Sequence, residues 1–233
     1  MRGSIMKPSK RAFIQLLLEA GALQFGEFTL KSGRVSPYFF NIGRFRTGSQ
    51  LLRLGEFLAE IVLDKAPEAT VIFGPAYKGI PLSLATAMAL SARHSWDVGY
   101  LFDRKEAKTH GDTGRFVGSL PGPDDHIVLV DDVITDGQTK YEAVAMLRET
   151  FPAPIDGLVI VFNRMERDMQ GRDALAEFQA KTGIPVHALL TLAELQEVME
   201  EGPGAANFAL PDLPRLRESI RAYRARYGVE AGG

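Results

Sequence analysis

The sequence predicts an α/β fold in which a parallel sheet is flanked by helices, preceded by a small N-terminal hood of one helix and short antiparallel strands. Five short aliphatic runs, "TVIFG", "VGYLF", "HIVLVDD", "IDGLVIVF" and "IPVHALL", carry most of this prediction. They read as continuous apolar strands rather than as alternating polar and apolar ones, so both faces of each are buried. Helical spacing recurs between most of them, which is the pattern of crossover connections. With 233 residues and 45% apolar content, the chain can bury one full core.

Ser9 can cap a first helix whose apolar Phe13, Leu16, Leu17 and Ala20 share a face, and Gly21 suits a left-handed stop. From Leu23 to Phe45, "LQFGEFTLKSGRVSPYFFNIGRF" separates aromatics with glycine and Ser-Pro, as in short antiparallel strands joined by turns. Helical spacing returns at Leu51, Leu54, Phe57, Leu58, Ile61 and Val62, and Pro67 ends that helix. The aliphatic runs then alternate with helices over Ile80–Ala92, Lys140–Glu149 and Gly171–Thr182, while "VGYLF" leads into a polar loop. Asp212 can cap a last helix with Leu216, Ile220 and Tyr223 on one side, and Gly202 to Ala206 reads as a surface linker. The layout is a single domain over residues 6–233, with a hood over about 6–64, an α/β core over about 65–190 and C-terminal helices over about 191–228. Residues 1–5 read as an added leader, with a second start at Met6.

Lys plus Arg number 27 against 29 Asp plus Glu, so the charge of -2 gives no global attraction to nucleic acid or anionic membrane. Neither is expected as a partner. The absence of cysteine excludes disulfides, thiolate metal sites and cysteine nucleophiles, and suits a cytoplasmic protein. No apolar run approaches the roughly 20 residues of a membrane span.

The stretch "IVLVDDVITDGQT", Ile127 to Thr139, ends a buried strand on two like charges. Because strand side chains alternate faces, Asp131 and Asp132 cannot point the same way while the pleat continues, so the strand stops about there. The carboxyl ends of parallel strands form the ligand crevice of such sheets. Val133 to Thr139 then reads as turn and helix start, where Thr135, Gly137 and Thr139 offer a hydroxyl, open backbone and a second hydroxyl to a phosphate. A carboxylate pair repels phosphate, but it accepts hydrogen bonds from vicinal ribose hydroxyls or from water on a magnesium ion. A sugar phosphate satisfies both halves. One acid and one glycine would be ordinary turn chemistry; two acids followed by Thr, Gly and Thr ask for more.

"VLVDDVITDGQT" resembles the phosphoribosyl pyrophosphate (PRPP) signature of type I phosphoribosyltransferases. "FTLKSGRVSPYFFN" (Phe28–Asn41), "FGPAYKGIPL" (Phe73–Leu82) and "RKEAKTHGDTG" (Arg104–Gly114) narrow the resemblance to the orotate phosphoribosyltransferases. It implies the type I phosphoribosyltransferase fold, a PRPP-binding core and synthesis of orotidine 5'-monophosphate in the pyrimidine pathway. It also implies PRPP contacts from Lys31, Tyr77, Lys78 and the loop Asp131, Asp132, Val133, Ile134, Thr135, Asp136, Gly137, Gln138 and Thr139, with a non-proline cis peptide before Tyr77. Phe39, Phe40, Thr135 and Arg164 match base-contacting positions; one of the two phenylalanines is expected in the core, and Arg164 could instead pair with Glu166.

Arg104, Lys105, Lys108 and His110 place three permanent cations and a titratable group within seven residues. In a phosphoribosyltransferase they would stabilise the departing pyrophosphate, and the resemblance implies a loop closing over the site, shared with the neighbouring subunit of a homodimer. Asp132 would steady the positive charge developing on the sugar or help a proton move. The cofactor implied is magnesium carried in by PRPP and water, without direct protein ligands; His94, His126 and His187 show no metal spacing. The sequence departs from the family pattern at Asp136 and Gln138, where small residues are usual, and at Asn163, where many members have aspartate. Two rivals share the fold: a PRPP-sensing regulator, which needs no cationic loop, and a transferase for another base, which Phe39, Phe40 and Arg164 disfavour.

Overall fold

The computed structural model describes residues 10–105, 114–200 and 212–229. The leader, Ser9 and the Gly202–Ala206 linker lie outside the described residues. Helix α1 (Lys10–Glu19) buries Phe13, Leu16 and Leu17, and Gly21 follows it with φ of 66°. Strands β1 (Leu23–Thr29) and β2 (Val35–Phe40) pair antiparallel, with a register shift between Phe25 and Phe28. Helix α2 (Gly48–Lys65) starts on the Thr47 side chain, which accepts from the Gln50 amide, and stops before Pro67.

The remaining strands form one six-stranded sheet: β3 (Val71–Phe73), β4 (Gly99–Asp103), β5 (Phe116–Gly118), β6 (Ile127–Asp131), β7 (Ile155–Asn163) and β8 (Val186–Thr191), in the order β5-β4-β3-β6-β7-β8. Every pairing is parallel except β4 with β5. Helices α3 (Gly79–His94), α4 (Gln138–Thr150) and α5 (Ala174–Thr182) provide the crossovers, followed by α6 (Leu192–Glu200) and α7 (Leu213–Tyr227), the last capped by Asp212. Strand β5 is not evident in the sequence, and α5 begins at Ala174 rather than Gly171, because Asp173 accepts from the Leu175 and Ala176 amides and sets the start there.

Strand pleating explains the unbroken aliphatic runs. Ile72, Val128, Val130, Val159 and Val161 face one buried cluster with α1, α2, α3, α6 and α7. Val71, Phe73, Ile127, Leu129, Leu158 and Ile160 face a second cluster with α4 and Phe178 of α5. The first cluster runs without interruption from α1 and β2 through α2 to the sheet, so the hood is fastened to the core rather than hinged on it.

Candidate active site

The crevice lies at the carboxyl ends of β3, β4 and β6. Strand β6 stops at Asp131, and Asp131 and the following Asp132 turn to opposite sides. Asp131 points toward α4, where its Oδ2 is 2.6 Å from Lys140 Nζ. Asp132 points toward α3, where its Oδ2 is 2.8 Å from Lys78 Nζ. Both acids are buried. Their other oxygens accept backbone N–H groups, Asp132 N donating to Asp131 Oδ1 (2.8 Å) and Val133 N to Asp132 Oδ1 (2.9 Å). Burial, and then the neighbouring Asp132, hold the Asp131 carboxyl above its ordinary value while Lys140 opposes them.

After the acids the chain turns through Gly137, with φ of 76°, into the free N-terminus of α4. Thr135 and Thr139 are exposed there. Asp136 turns its carboxylate onto the Gln138 amide (3.1 Å), and Gln138 in turn donates to Glu142 (2.9 Å). The unusual acid therefore satisfies one N–H of the loop internally.

A second turn into a helix start begins at Gly74, where any Cβ would meet the Gly79 carbonyl oxygen at 2.0 Å, so the turn from β3 into α3 closes only around glycine. The Ala76–Tyr77 peptide within it is cis, as the resemblance implied. Ala76 N donates to Asp103 Oδ1 (2.7 Å), a buried acid at the end of β4. Tyr77 is 71% exposed. Together these segments line a cavity of about 410 Å³ holding Tyr77, Lys78, Arg104, Lys105, Asp131, Asp132 and Thr139. Arg104 donates to the Gly114 carbonyl (2.9 Å), bringing the two ends of the cationic loop together. Lys108 and His110 lie outside the described residues.

Lys31, Phe39, Phe40 and Arg164 do not line that cavity. Lys31 is exposed on the turn between β1 and β2, closed by Gly33 N donating to Leu30 O. Phe40 packs on Phe162 (ring centroids 5.3 Å apart) and joins the core, while Phe39 stacks on Phe28 and remains 36% exposed. The division expected between the two rings is present. Arg164 does pair with Glu166, its Nη2 2.8 Å and its Nε 3.0 Å from Oε1, but both side chains are under 20% exposed, so this is no surface ion pair. Tyr38 is fully buried and donates to the same Glu166 oxygen at 2.6 Å. Burial opposes the Arg164 charge, but Tyr38 and Glu166 outweigh it and keep its pKa above the ordinary value. Asn163 accepts from the Met165 amide (2.8 Å), work that needs an acceptor oxygen and not a charge.

Sequence reasoning overlooked Lys140, Asp103, Glu166 and Tyr38 as site residues. Asp103 left a signal, since "YLFD" repeats the pattern of an apolar strand ending on an acid. Nothing local marks Lys140 as buried, and Tyr38 and Glu166 meet across 128 positions.

The sequence matches the phosphoribosyl transferase domain family over residues 46–176. It is 42% identical to an orotate phosphoribosyltransferase of Chromohalobacter salexigens, covering 98% of each chain. It is 45% identical to one of Klebsiella pneumoniae over 96% of this chain and all of that one. Among solved structures, an orotate phosphoribosyltransferase of Francisella tularensis superimposes with a TM-score of 0.79 at 36% identity, covering 93% of this chain and 99% of the other. With this geometry and this coverage, the chain belongs to the orotate phosphoribosyltransferase family.

Proposed function

We propose that this chain transfers the 5-phosphoribosyl group of PRPP to N1 of orotate, forming orotidine 5'-monophosphate and pyrophosphate on the way to UMP. The bond from C1 of the ribose to the pyrophosphate oxygen breaks and the electron pair leaves on pyrophosphate, the bond from C1 to N1 forms, and the proton of N1 passes to the departing pyrophosphate or to water. The observation that carries the reading is the divergent acid pair at the end of β6, set beside the left-handed turn that opens α4. Asp131 and Asp132 can accept from the ribose 2- and 3-hydroxyls, while the loop Val133 to Thr139 offers the 5-phosphate the hydroxyls of Thr135 and Thr139 and the amides not already held by Asp132 and Asp136.

Pyrophosphate is assigned to the turn at Tyr77 and Lys78, with Arg104 and Lys105 at the cavity rim. Cations there favour the transition state because charge accumulates on the leaving group as the bond breaks. Asp132, close to the sugar, would steady its oxocarbenium character. The role of Lys108 and His110 in closing the site and excluding water belongs to the same proposal. Phe39 offers an exposed ring face to the flat base. Arg164 supplies a fork suited to a carboxylate or a pyrimidine edge.

Among the described residues, no group of three or more His, Cys, Asp or Glu stands together to hold a metal ion. Asp131 and Asp132 are engaged by lysines, and this donor set suits a magnesium ion that arrives on the oxygens of PRPP and on water. When bound, magnesium would neutralise part of the pyrophosphate charge. We extend the proposal to a homodimer, because Lys31 is exposed at the hood tip and does not line the cavity of its own chain. Among the described residues, no helix is long and apolar enough to cross a membrane.

Mixing the protein with PRPP, magnesium and orotate should consume orotate absorbance. Faster use of uracil, adenine or hypoxanthine would overturn the base assignment.

A further inference from the structure

Among the described residues, Lys140 is the one lysine or arginine that is buried, at 8% exposure, and the proposed reaction gives it no part. It stands in the first turn of α4, where its backbone N–H donates to the Gly137 carbonyl (2.9 Å). From there the side chain reaches back to the end of β6. Its ammonium lies 2.6 Å from Asp131 Oδ2, with both side chains 9% exposed, and 3.3 Å from Thr139 Oγ1.

We propose that Lys140 is a positioning residue for PRPP: it keeps Asp131 ionised where the fold has buried it, and it fixes the hydroxyl of Thr139 as a donor. This rests on the assignment of Asp131 to the ribose hydroxyls and of Thr139 to the phosphate.

A carboxylate at the end of β6 faces two unfavourable influences, loss of water and the charge of the adjacent Asp132. Lys78 is the partner of Asp132, and it leaves Asp131 to Lys140. Asp103 lies across the cavity, holding the Ala76 amide. Arg104, Lys105, Arg115 and Glu142 also line it and set a background field that a change at Lys140 does not alter. Without the ammonium, burial and the Asp132 charge are opposed only by the Asp132 amide that Asp131 Oδ1 accepts from, and Asp131 takes up a proton more readily. A protonated carboxyl has fewer acceptor sites for the two ribose hydroxyls and adds a donor of its own. The second bond of Lys140 acts on Thr139: an oxygen that accepts from an ammonium turns its own hydrogen elsewhere, and the adjacent phosphate site needs a donor.

Removing Lys140 raises the Asp131 pKa further, so the variant should bind PRPP poorly at low pH and recover as rising pH ionises the acid. The test is titration calorimetry with PRPP and magnesium across a pH series from about pH 6 to about pH 9. It compares the unmodified protein with Lys140→Met, Lys140→Arg and the double variant Asp131→Asn/Lys140→Met.

Lys140→Met should bind PRPP about tenfold or more weakly at the acid end, the range of one lost charge-assisted hydrogen bond, and approach the unmodified affinity at the alkaline end. Lys140→Arg should restore binding at every pH. The double variant should be weak throughout, with no recovery. KM for orotate should not move in Lys140→Met. Lys140→Gln carries the same expectation and serves if the Met variant does not fold.

A Lys140→Met or Lys140→Gln profile parallel to that of the unmodified protein, whether equal in affinity or uniformly weaker, overturns the inference and leaves the proposed reaction standing. An unmodified protein that binds PRPP but consumes no orotate overturns the proposed base and leaves the inference standing.

Discussion

The crevice at the end of β6, proposed as the sugar-phosphate cradle, and the Arg164 wall, proposed to face the base, hold their charges in opposite ways. In the cradle, Lys78 is more than half exposed and reaches in to a buried Asp132, so its ammonium can turn to a ligand only as other donors, such as sugar hydroxyls, take its place on the carboxylate. In the base wall, Arg164, Glu166 and Tyr38 form a closed buried group, and the segment carrying Arg164 is clamped from outside. Arg34 of the hood donates to the Arg167 and Asp168 carbonyls at 2.7 and 2.9 Å, and Val229 beyond α7 donates to the Met165 carbonyl at 2.8 Å. On the proposed function, one region lets a polyanion displace an exposed lysine. The other is arranged so that a planar fork does not move.

Breaking the cradle should cost most. Asp132→Asn removes the proposed ribose acceptor and the negative charge proposed to steady the sugar, and kcat/KM for PRPP should fall by about two to three orders of magnitude. KM for orotate should change little, and initial rates with each substrate varied in turn separate the two. An equal loss toward both substrates would mean that the regions are not distinct.

The base wall should fail in the reciprocal sense. Arg164→Lys keeps the charge but loses the planar fork, and should raise KM for orotate about tenfold to a hundredfold with KM for PRPP nearly unchanged. Glu166→Gln leaves Arg164 buried without its anion. That should lower stability by about 3 kcal/mol, read by urea unfolding, and raise KM for orotate as the fork loosens. Tyr38→Phe removes one hydrogen bond to the same oxygen and should cost about 1 kcal/mol, a melting shift of about 2–4 °C.

The smallest effect should come from His187 on β8, outside both regions. Burial, with Lys65 next, depresses its pKa below 6.5, so the folded chain binds this proton less readily than the unfolded chain. Stability present above pH 6.5 is therefore lost as pH falls through the folded value, by well under 1 kcal/mol for a ring that water still reaches. His187→Asn should flatten that dependence in urea midpoints and leave both KM values alone.

The same contrast shows what could be read from sequence. The cradle was legible because it is local: an aliphatic strand, two acids and a glycine turn occupy consecutive positions, and parallel topology brings such strand ends together. Its lysine partners were half legible, Lys78 from its motif and Lys140 not at all, because burial of a helix-start lysine is decided by the strand beneath it. The base wall was legible residue by residue but not as a unit. Arg164 and Phe39 stood out as types, while the bond from Tyr38 to Glu166 joins the hood to the strand after the acidic loop and exists only in the fold. Strand β5 escaped because three residues, "FVG", give too short a run to show a period, and its place is fixed by antiparallel pairing to β4.

The account depends on the two acids of β6 holding a ribose. Its most direct test is a crystal structure with PRPP and magnesium. The ribose 2- and 3-hydroxyls should lie about 2.5–3.0 Å from the Asp131 and Asp132 carboxylates, with the 5-phosphate against Thr135 to Thr139. A sugar bound elsewhere, with Asp132 still closed on Lys78 and Asp131 reaching no hydroxyl, would contradict it.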